Sequence, residues 1–248
     1  APENTMAAFA NADALGADGV EFDVHVARDG EVVVIHDATL ERTTDAAGAV
    51  AGHTSEQLAR VDAAHRFTDL EGTPRFRDEG YGVPRFRDVL TRFPRLRCVV
   101  ELKGSDPRVA HAAVDVAVEC GALHRVCFGG FTDAVVRAAR ARDARVVSSA
   151  ATEETRWALY RSWVGLTPVR PAYRGFQLPE RYGAMRVVTR RWLWVMRRAG
   201  LATQVWTVNE PRDIDRLFDW GVDAVISDRP DLAVEVVRRR RTAANPSR

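Results

Sequence analysis

The chain is almost without lysine. Of the 36 basic residues in its 248, only Lys103 is a lysine; every other one is an arginine. Where a generic cation will serve, this composition uses arginine. Lys103 is therefore singled out, because a compact ammonium on a strand-like stretch is chemically unlike a guanidinium fork. Cysteine is scarce as well. Cys98, Cys120 and Cys127 are odd in number and not in Cys-x-x-Cys spacing, which predicts buried thiols in a reducing compartment. No apolar run approaches the roughly 18 residues of a membrane span, so no transmembrane segment is expected. Ala1 to Leu15 lacks a basic leader region and a long apolar core. A cytoplasmic location is the expectation, with an upstream signal or anchor left open because the chain begins at Ala1. An excess of either charge is missing too: 36 basic against 34 acidic residues give +2, no general case for nucleic acid or a membrane surface as partner. No glycine-rich fingerprint stands at a strand-to-helix turn. Gly129-Gly130 alone is weak, which argues against a Rossmann-type dinucleotide site.

What is present is organised around residues 21–37. Phe22, Val24 and Val26 alternate with polar residues, and a second apolar run covers Val32 to Ile35. Between them lies Asp29-Gly30, a dipeptide favoured in two-residue hairpin loops. Such a loop pairs residues whose numbers sum to about 59, placing Asp23 opposite His36 with Glu21, two residues back, on the same face.

The remaining chain reads as alternating strands and helices. A helix is expected from an Asn4 cap to Leu15, stopped by Gly16. Residues 38–83 are irregular, an insertion after the hairpin, with a capping box at Thr54–Gln57. From residue 97 onward strands recur at spacings typical of βα units, near 98–103, 125–128, 145–150, 175–178, 204–208 and 224–227. Length allows one or two domains, and an α/β barrel would use all of it as one. With the hairpin's first arm the strands number seven, so an eight-stranded barrel would lack its first. The basic tail, about 238–248, reads as a solvated helix end.

In a barrel, functional side chains gather at the C-terminal ends of strands. Glu101 and Lys103 end one strand two residues apart, as Glu21 and Asp23 do on another. If those ends meet, three carboxylates converge. That is unfavourable unless they are protonated or neutralised by a cation, and oxygen-only ligation suits one divalent ion, Mg²⁺ or Ca²⁺.

At these residues the chain resembles a known family. Ala-Pro-Glu-Asn-Thr (1–5), Gly-Ala-Asp-Gly-Val-Glu-Phe-Asp-Val (16–24), Val-Val-Ile-His-Asp (33–37), Thr-Leu-Glu-Arg-Thr-Thr (39–44), Glu-Leu-Lys (101–103), Val-Trp-Thr-Val-Asn (205–209) and Gly-Val-Asp-Ala-Val-Ile-Ser-Asp-Arg-Pro (221–230) look like those of glycerophosphodiester phosphodiesterases. The resemblance spans nearly the whole chain. It implies a single TIM (β/α)8 barrel domain over 1–248, of the phospholipase C-like phosphodiesterase type. It also implies metal-dependent hydrolysis of a small-molecule glycerophosphodiester to an alcohol and glycerol 3-phosphate, in glycerophospholipid breakdown. Carried over, Glu21, Asp23 and Glu101 match the metal ligands and His36 a catalytic histidine. Lys103 matches the phosphate-side cation, and Trp206 the aromatic wall beside the glycerol. Glu3, Asn4, His25, Asp37 and Phe131 fall around them as supporting residues.

Two departures stand out. The family's first strand ends in His-Arg-Gly just upstream of the Pro-Glu-Asn-Thr stretch, and here the chain starts at Ala1, so a fragment lacking that strand and its histidine is expected. Phe128-Gly-Gly-Phe131 also lacks the serine usual before the phenylalanine. Two alternatives remain. One is a lysophospholipase D-like enzyme, with Trp157, Trp163, Trp192 and Trp194 as candidates for an acyl surface. The other is a catalytically impaired phosphodiester-binding barrel.

Overall fold

The computed structural model describes residues 1–244; the last four residues of the basic tail lie outside them. The chain divides into two compact units. The first holds Ala1–Ala14 and Asp18–Val147, and the second holds Leu15–Ala17 and the chain from Ser148 onward.

In the first unit α1 (Met6–Leu15) leads into β1 (Gly19–Val26) and β2 (Val32–Val34). Then come α2 (Ser55–Leu58), α3 (Phe86–Arg92), β3 (Arg97–Leu102), α4 (Pro107–Glu119), β4 (Val126–Gly129) and α5 (Asp133–Arg142). The five-stranded sheet runs β2-β1-β3-β4 and ends on β5 (Val147–Ser148). β1, β3 and β4 are parallel, and β2 is antiparallel to β1. Phe22 on β1 packs edge-on to Phe9 of α1 at 5.2 Å and against Phe86 of α3 at 5.7 Å. Burying such a ring stabilises by roughly 1.5–3 kcal/mol. Because Phe22 and Val24 point to the helices, Glu21, Asp23 and His25 share the opposite face. Cys98 is buried, and burial pushes its thiol up to about 11. Cys120 and Cys127 are half-buried, and none of the three cysteines is in a disulfide.

β5 (Val147–Ser148) marks the passage to the second unit. There follow α6 (Thr152–Trp163), β6 (Gly175–Pro179), β7 (Arg181–Tyr182), β8 (Met185–Arg186), α7 (Arg190–Arg198), β9 (Ala202–Trp206), α8 (Pro211–Trp220), β10 (Ala224–Val225) and α9 (Pro230–Ala244). β10, β9 and β6 form a parallel sheet, while β7 and β8 make a small hairpin that sequence reasoning did not foresee. Trp192 is core: it is 1% exposed, meets Phe176 edge-on at 4.8 Å and donates its indole N–H to Thr203 Oγ1 at 3.1 Å. It is therefore no part of an acyl surface.

The seven expected parallel strands are all present, β1, β3, β4, β5, β6, β9 and β10. Among the described residues they are distributed over separate sheets, with no closed barrel. The helix start moves by one residue. Thr5, not Asn4, occupies the capping position, its Oγ1 accepting from the N–H of Ala8 at 3.3 Å.

The hairpin corrects the expected register. Ala27 N–H donates to Glu31 O at 2.9 Å and Gly30 N–H to Ala27 O at 3.0 Å, closing a three-residue loop, Arg28-Asp29-Gly30. Gly30 takes the left-handed position at φ 86°, the usual geometry of such a bulged loop. Asp29, at the centre of that loop, is held by the insertion: its carboxylate accepts from both the N–H and the hydroxyl of Ser55 at 2.9 Å. The observed pairs Val24–Val34, His25–Val33 and Val26–Val32 are shifted by one from the expectation, so Asp23 does not face His36. Ile35 stands there instead and donates its N–H to Asp23 O at 3.0 Å.

The insertion packs on this hairpin. Leu40, Val50, Leu58 and Val83 form a cluster with Val33 and Ile35. The Thr54–Gln57 capping box is present as expected, with both reciprocal bonds. Gly82 runs against α2 so closely that a Cβ would lie 2.1 Å from Ala59 O. Gly82→Ala should therefore destabilise the protein by about 1–3 kcal/mol, read as a lower urea midpoint at unchanged slope. Gly52→Ala, where a Cβ meets nothing within 4 Å, should leave the midpoint in place.

Candidate active site

The β1–β3 pairing sets the site. Asp23 and Glu101 are register partners on neighbouring parallel strands, and Glu21 lies two residues back on the same face of β1. One oxygen from each of Glu21, Asp23 and Glu101 lies within 4.8 Å of the others. Lys103, just past the end of β3, turns its ammonium into this group, 2.8 Å from Asp23 Oδ1 and 2.6 Å from Glu101 Oε1. Its backbone N–H continues the ladder to Val24 O at 3.2 Å, which fixes where the side chain begins. Burial works against the Lys103 charge, but its bonds to Asp23 and Glu101 outweigh that and hold its pKa above the ordinary lysine value. The three carboxylates and one ammonium carry a formal −2 among them. A divalent cation matches that charge, and the all-oxygen donor set is the type that hard ions take.

Asn4 closes one side of the group. Its backbone is left-handed at φ 54°, which a short polar residue tolerates. This turns the side chain away from the helix it was expected to cap. Its amide donates to Asp23 Oδ2 at 3.0 Å and its carbonyl oxygen lies 3.4 Å from Asp23 N.

His36 is not within the carboxylate group. It follows the end of β2, with more than half of its side chain exposed, in a crevice that Glu3, Asn4 and Thr43 also line. Asp37 Oδ1 lies 2.6 Å from His36 Nδ1. With a proton on Nδ1, Nε2 is left as the nitrogen that can accept one. Asp37 is held in turn by Arg42, Nε to Oδ2 at 2.6 Å, and Arg42 also grips Glu3 in a two-pronged pair at 2.6 and 2.9 Å. Those bonds raise the Arg42 pKa, the Glu3 bond first and Asp37 next. They lower Asp37 to about 2, the Arg42 bond contributing most. His25, on the Asp23 face, places Nε2 3.1 Å from the carbonyl of His36, and burial more than any other influence lowers its pKa. Arg42 was overlooked among the candidates. It lies within the Thr-Leu-Glu-Arg-Thr-Thr run, but one arginine among so many carries no signal of its own.

Phe131 stands in the loop after β4, largely exposed. Gly130 beside it passes so near Leu102 O that a Cβ would be 3.2 Å away, and Thr132 Oγ1 donates to Gly104 O at 3.1 Å. These contacts tie the β4 loop to the end of β3 that bears Glu101 and Lys103. Trp206 is the last residue of β9 in the second unit, half-buried. Beyond it, Asn209 holds the segment after β10, accepting from Ser227 Oγ at 3.0 Å and Asp228 N at 2.9 Å.

The chain is similar to known proteins over nearly its whole length. The profile of the glycerophosphoryl diester phosphodiesterase family matches residues 1–232. A glycerophosphodiester phosphodiesterase of Caldanaerobacter subterraneus subsp. tengcongensis is 28% identical, covering 96% of this chain and 93% of the relative. Among solved structures, the glycerophosphoryl diester phosphodiesterase domain of a Mycobacterium tuberculosis protein superposes with a TM-score of 0.82 at 22% identity, over 94% of this chain and 93% of that one. An Oleispira antarctica phosphodiesterase, solved with the product sn-glycerol-3-phosphate, gives 0.73 at 22% identity over 96% and 92%.

The Glu3–Arg42–Asp37 linkage has a defined pH dependence. A carboxyl lowered on folding contributes stability above its unfolded pKa, and that contribution is lost as pH falls through the folded value. For Asp37 the window runs from 3.8 down to about 2. The stability difference between the wild type and Asp37→Asn should shrink as pH falls through that window and be lost below it, measured by urea unfolding at stepped pH.

Proposed function

This chain belongs to the glycerophosphoryl diester phosphodiesterase family and is a phosphoric diester hydrolase, and from that premise we propose that it hydrolyses glycerophosphodiesters to an alcohol and glycerol 3-phosphate with the help of one divalent cation. The observation that carries this reading is the convergence of Glu21, Asp23 and Glu101 around the ammonium of Lys103. We further propose that both units serve one catalytic domain of the family's (β/α)8 barrel type, consistent with a family match that runs through both.

Glu21, Asp23 and Glu101 would hold the ion, Mg²⁺ or Ca²⁺. When bound, it supplies charge neutralisation and Lewis-acid polarisation of a phosphoryl oxygen. The protein's own groups do the rest. Lys103 spends two of its three N–H donors on Asp23 and Glu101, which leaves one to direct at a phosphate oxygen. Such a fixed donor strengthens as negative charge builds on the phosphoryl group. Asn4 fixes Asp23 by bonding the oxygen that Lys103 does not take, so the carboxylate cannot swing away.

Hydrolysis forms a bond from water oxygen to phosphorus and breaks the bond to the departing alcohol. One proton leaves the water and one reaches the alcohol oxygen. His36 moves one of them through Nε2, with Asp37 fixing the tautomer and Arg42 fixing Asp37. His25 orients the same imidazole through its backbone carbonyl. Phe131 offers an exposed ring beside the phosphate end of the site, and for Trp206 the assignment to the glycerol rests on its motif alone.

The test is release of glycerol 3-phosphate from glycerophosphocholine by the purified protein. Release should require a divalent ion, and Glu101→Ala should reduce kcat by about 10²–10³-fold or more. Undiminished turnover in excess chelator would overturn the metal-dependent reading. Arg42→Ala should lower kcat by about tenfold with little change in KM, because it loosens the proton carrier rather than the phosphate contacts.

A further inference from the structure

The near-neutral charge of the whole chain conceals a strong local segregation in the second unit. Between residues 155 and 200 there are ten arginines and one acidic residue, Glu180. The acids of α6, Glu153 and Glu154, lie in its first turn, where Glu153 pairs with Arg156 at 2.8 Å and Glu154 accepts from Ala151 N–H at 3.0 Å. Glu180 is already committed to Arg216, at 2.8 and 2.9 Å. The same stretch carries the largest set of exposed aromatic side chains among the described residues. Trp157 and Trp163 on α6 are 66% and 54% exposed, with Tyr160 between them, its ring 6.3 Å from one and 5.3 Å from the other. The chain leaving α6 adds Val164, Leu166 and Val169, all exposed.

The neighbouring α7 is split with equal clarity. Trp192, Leu193, Val195 and Met196 enter the core. Its outer face consists of Arg190, Arg191, Trp194, Arg197 and Arg198, at the i, i+4, i+7 spacing of one helical face and with no carboxylate on the helix. The Arg198 guanidinium lies 4.6 Å from the Trp194 ring centroid. Arg191 donates to Ser162 O at 2.9 Å, so the two helices lie side by side.

Exposed tryptophan and aliphatic side chains in a contiguous group signal a contact surface. The arginines state the charge of the occupant, which must be anionic. A nucleic acid would satisfy the arginines but would have no use for Val164, Leu166 and Val169 at the edge. A phospholipid interface uses both, since tryptophan rings settle at headgroup depth, aliphatic side chains reach the acyl boundary, and guanidinium groups pair with lipid phosphates. We propose that the α6–α7 face is a docking surface for an anionic phospholipid bilayer. Its side chains belong to the second unit alone, and it does not rest on the proposed reaction.

The test is co-sedimentation of the whole protein with vesicles. Vesicles of phosphatidylcholine mixed with phosphatidylglycerol should bind it at least about tenfold better than phosphatidylcholine alone, and high salt should weaken that binding. Trp157→Ser/Trp163→Ser and Arg190→Gln/Arg198→Gln should each weaken it by about tenfold, with thermal unfolding unchanged. The arginine pair keeps the test decisive if the tryptophan pair misfolds. Equal binding to neutral and anionic vesicles, no binding to either, or tighter binding to a DNA duplex than to the anionic vesicles would overturn the proposal.

Discussion

Asp23 and Glu101 face each other across two parallel strands, and the ammonium of Lys103 makes that pairing tolerable. Like charges directly opposed in a sheet destabilise it. Here the register is fixed by an apolar face that cannot slip, because Phe22 and Val24 are buried beneath α1 and α3. A one-residue slip would expose those side chains and bury the acids. The repulsion is therefore built in, and the fold carries its own partial remedy on the same strand face. A guanidinium would be a poor replacement. Its planar fork needs a flat carboxylate partner, whereas the compact ammonium reaches two carboxylates and keeps a donor in reserve. That is a physical reason for the only lysine in the chain to be at this position.

Around that centre each support serves a neighbour. Asn4 gives up the helix cap to Thr5 and holds Asp23 instead. The insertion, through Ser55, holds Asp29 at the centre of a three-residue hairpin loop. His36 consequently leaves the Asp23 pair and is held from the other side by Asp37, Arg42 and Glu3. Two charge systems result: a compact one of carboxylates and ammonium, and an outer arginine-centred one that sets the imidazole.

Much of this was legible in the sequence. Period-two alternation gave the strands, and two acid-bearing strand ends gave the carboxylate cluster, because side-chain alternation is local and reliable. The hairpin register was not legible. Asp-Gly is compatible with either a two-residue or a three-residue loop, and the bond that holds Asp29 in the three-residue loop comes from Ser55, far away in sequence. Asn4 was ambiguous for a similar reason: capping is its local preference, and a tertiary bond prevailed. Arg42 was hidden by composition, since in a chain so rich in arginine no single one stands out. The same abundance hid the basic face of α6 and α7, because a net charge averages over surfaces that differ.

The central claim is that the Glu21–Asp23–Glu101 cluster, balanced in part by Lys103, takes one divalent cation. Calorimetric titration of the protein with Mg²⁺ and with Ca²⁺ tests it without recourse to turnover. The account predicts one ion bound per chain, with binding lost in Asp23→Asn and retained in Asp37→Asn. A titration showing no ion bound, or one that Asp23→Asn leaves unchanged, would contradict it.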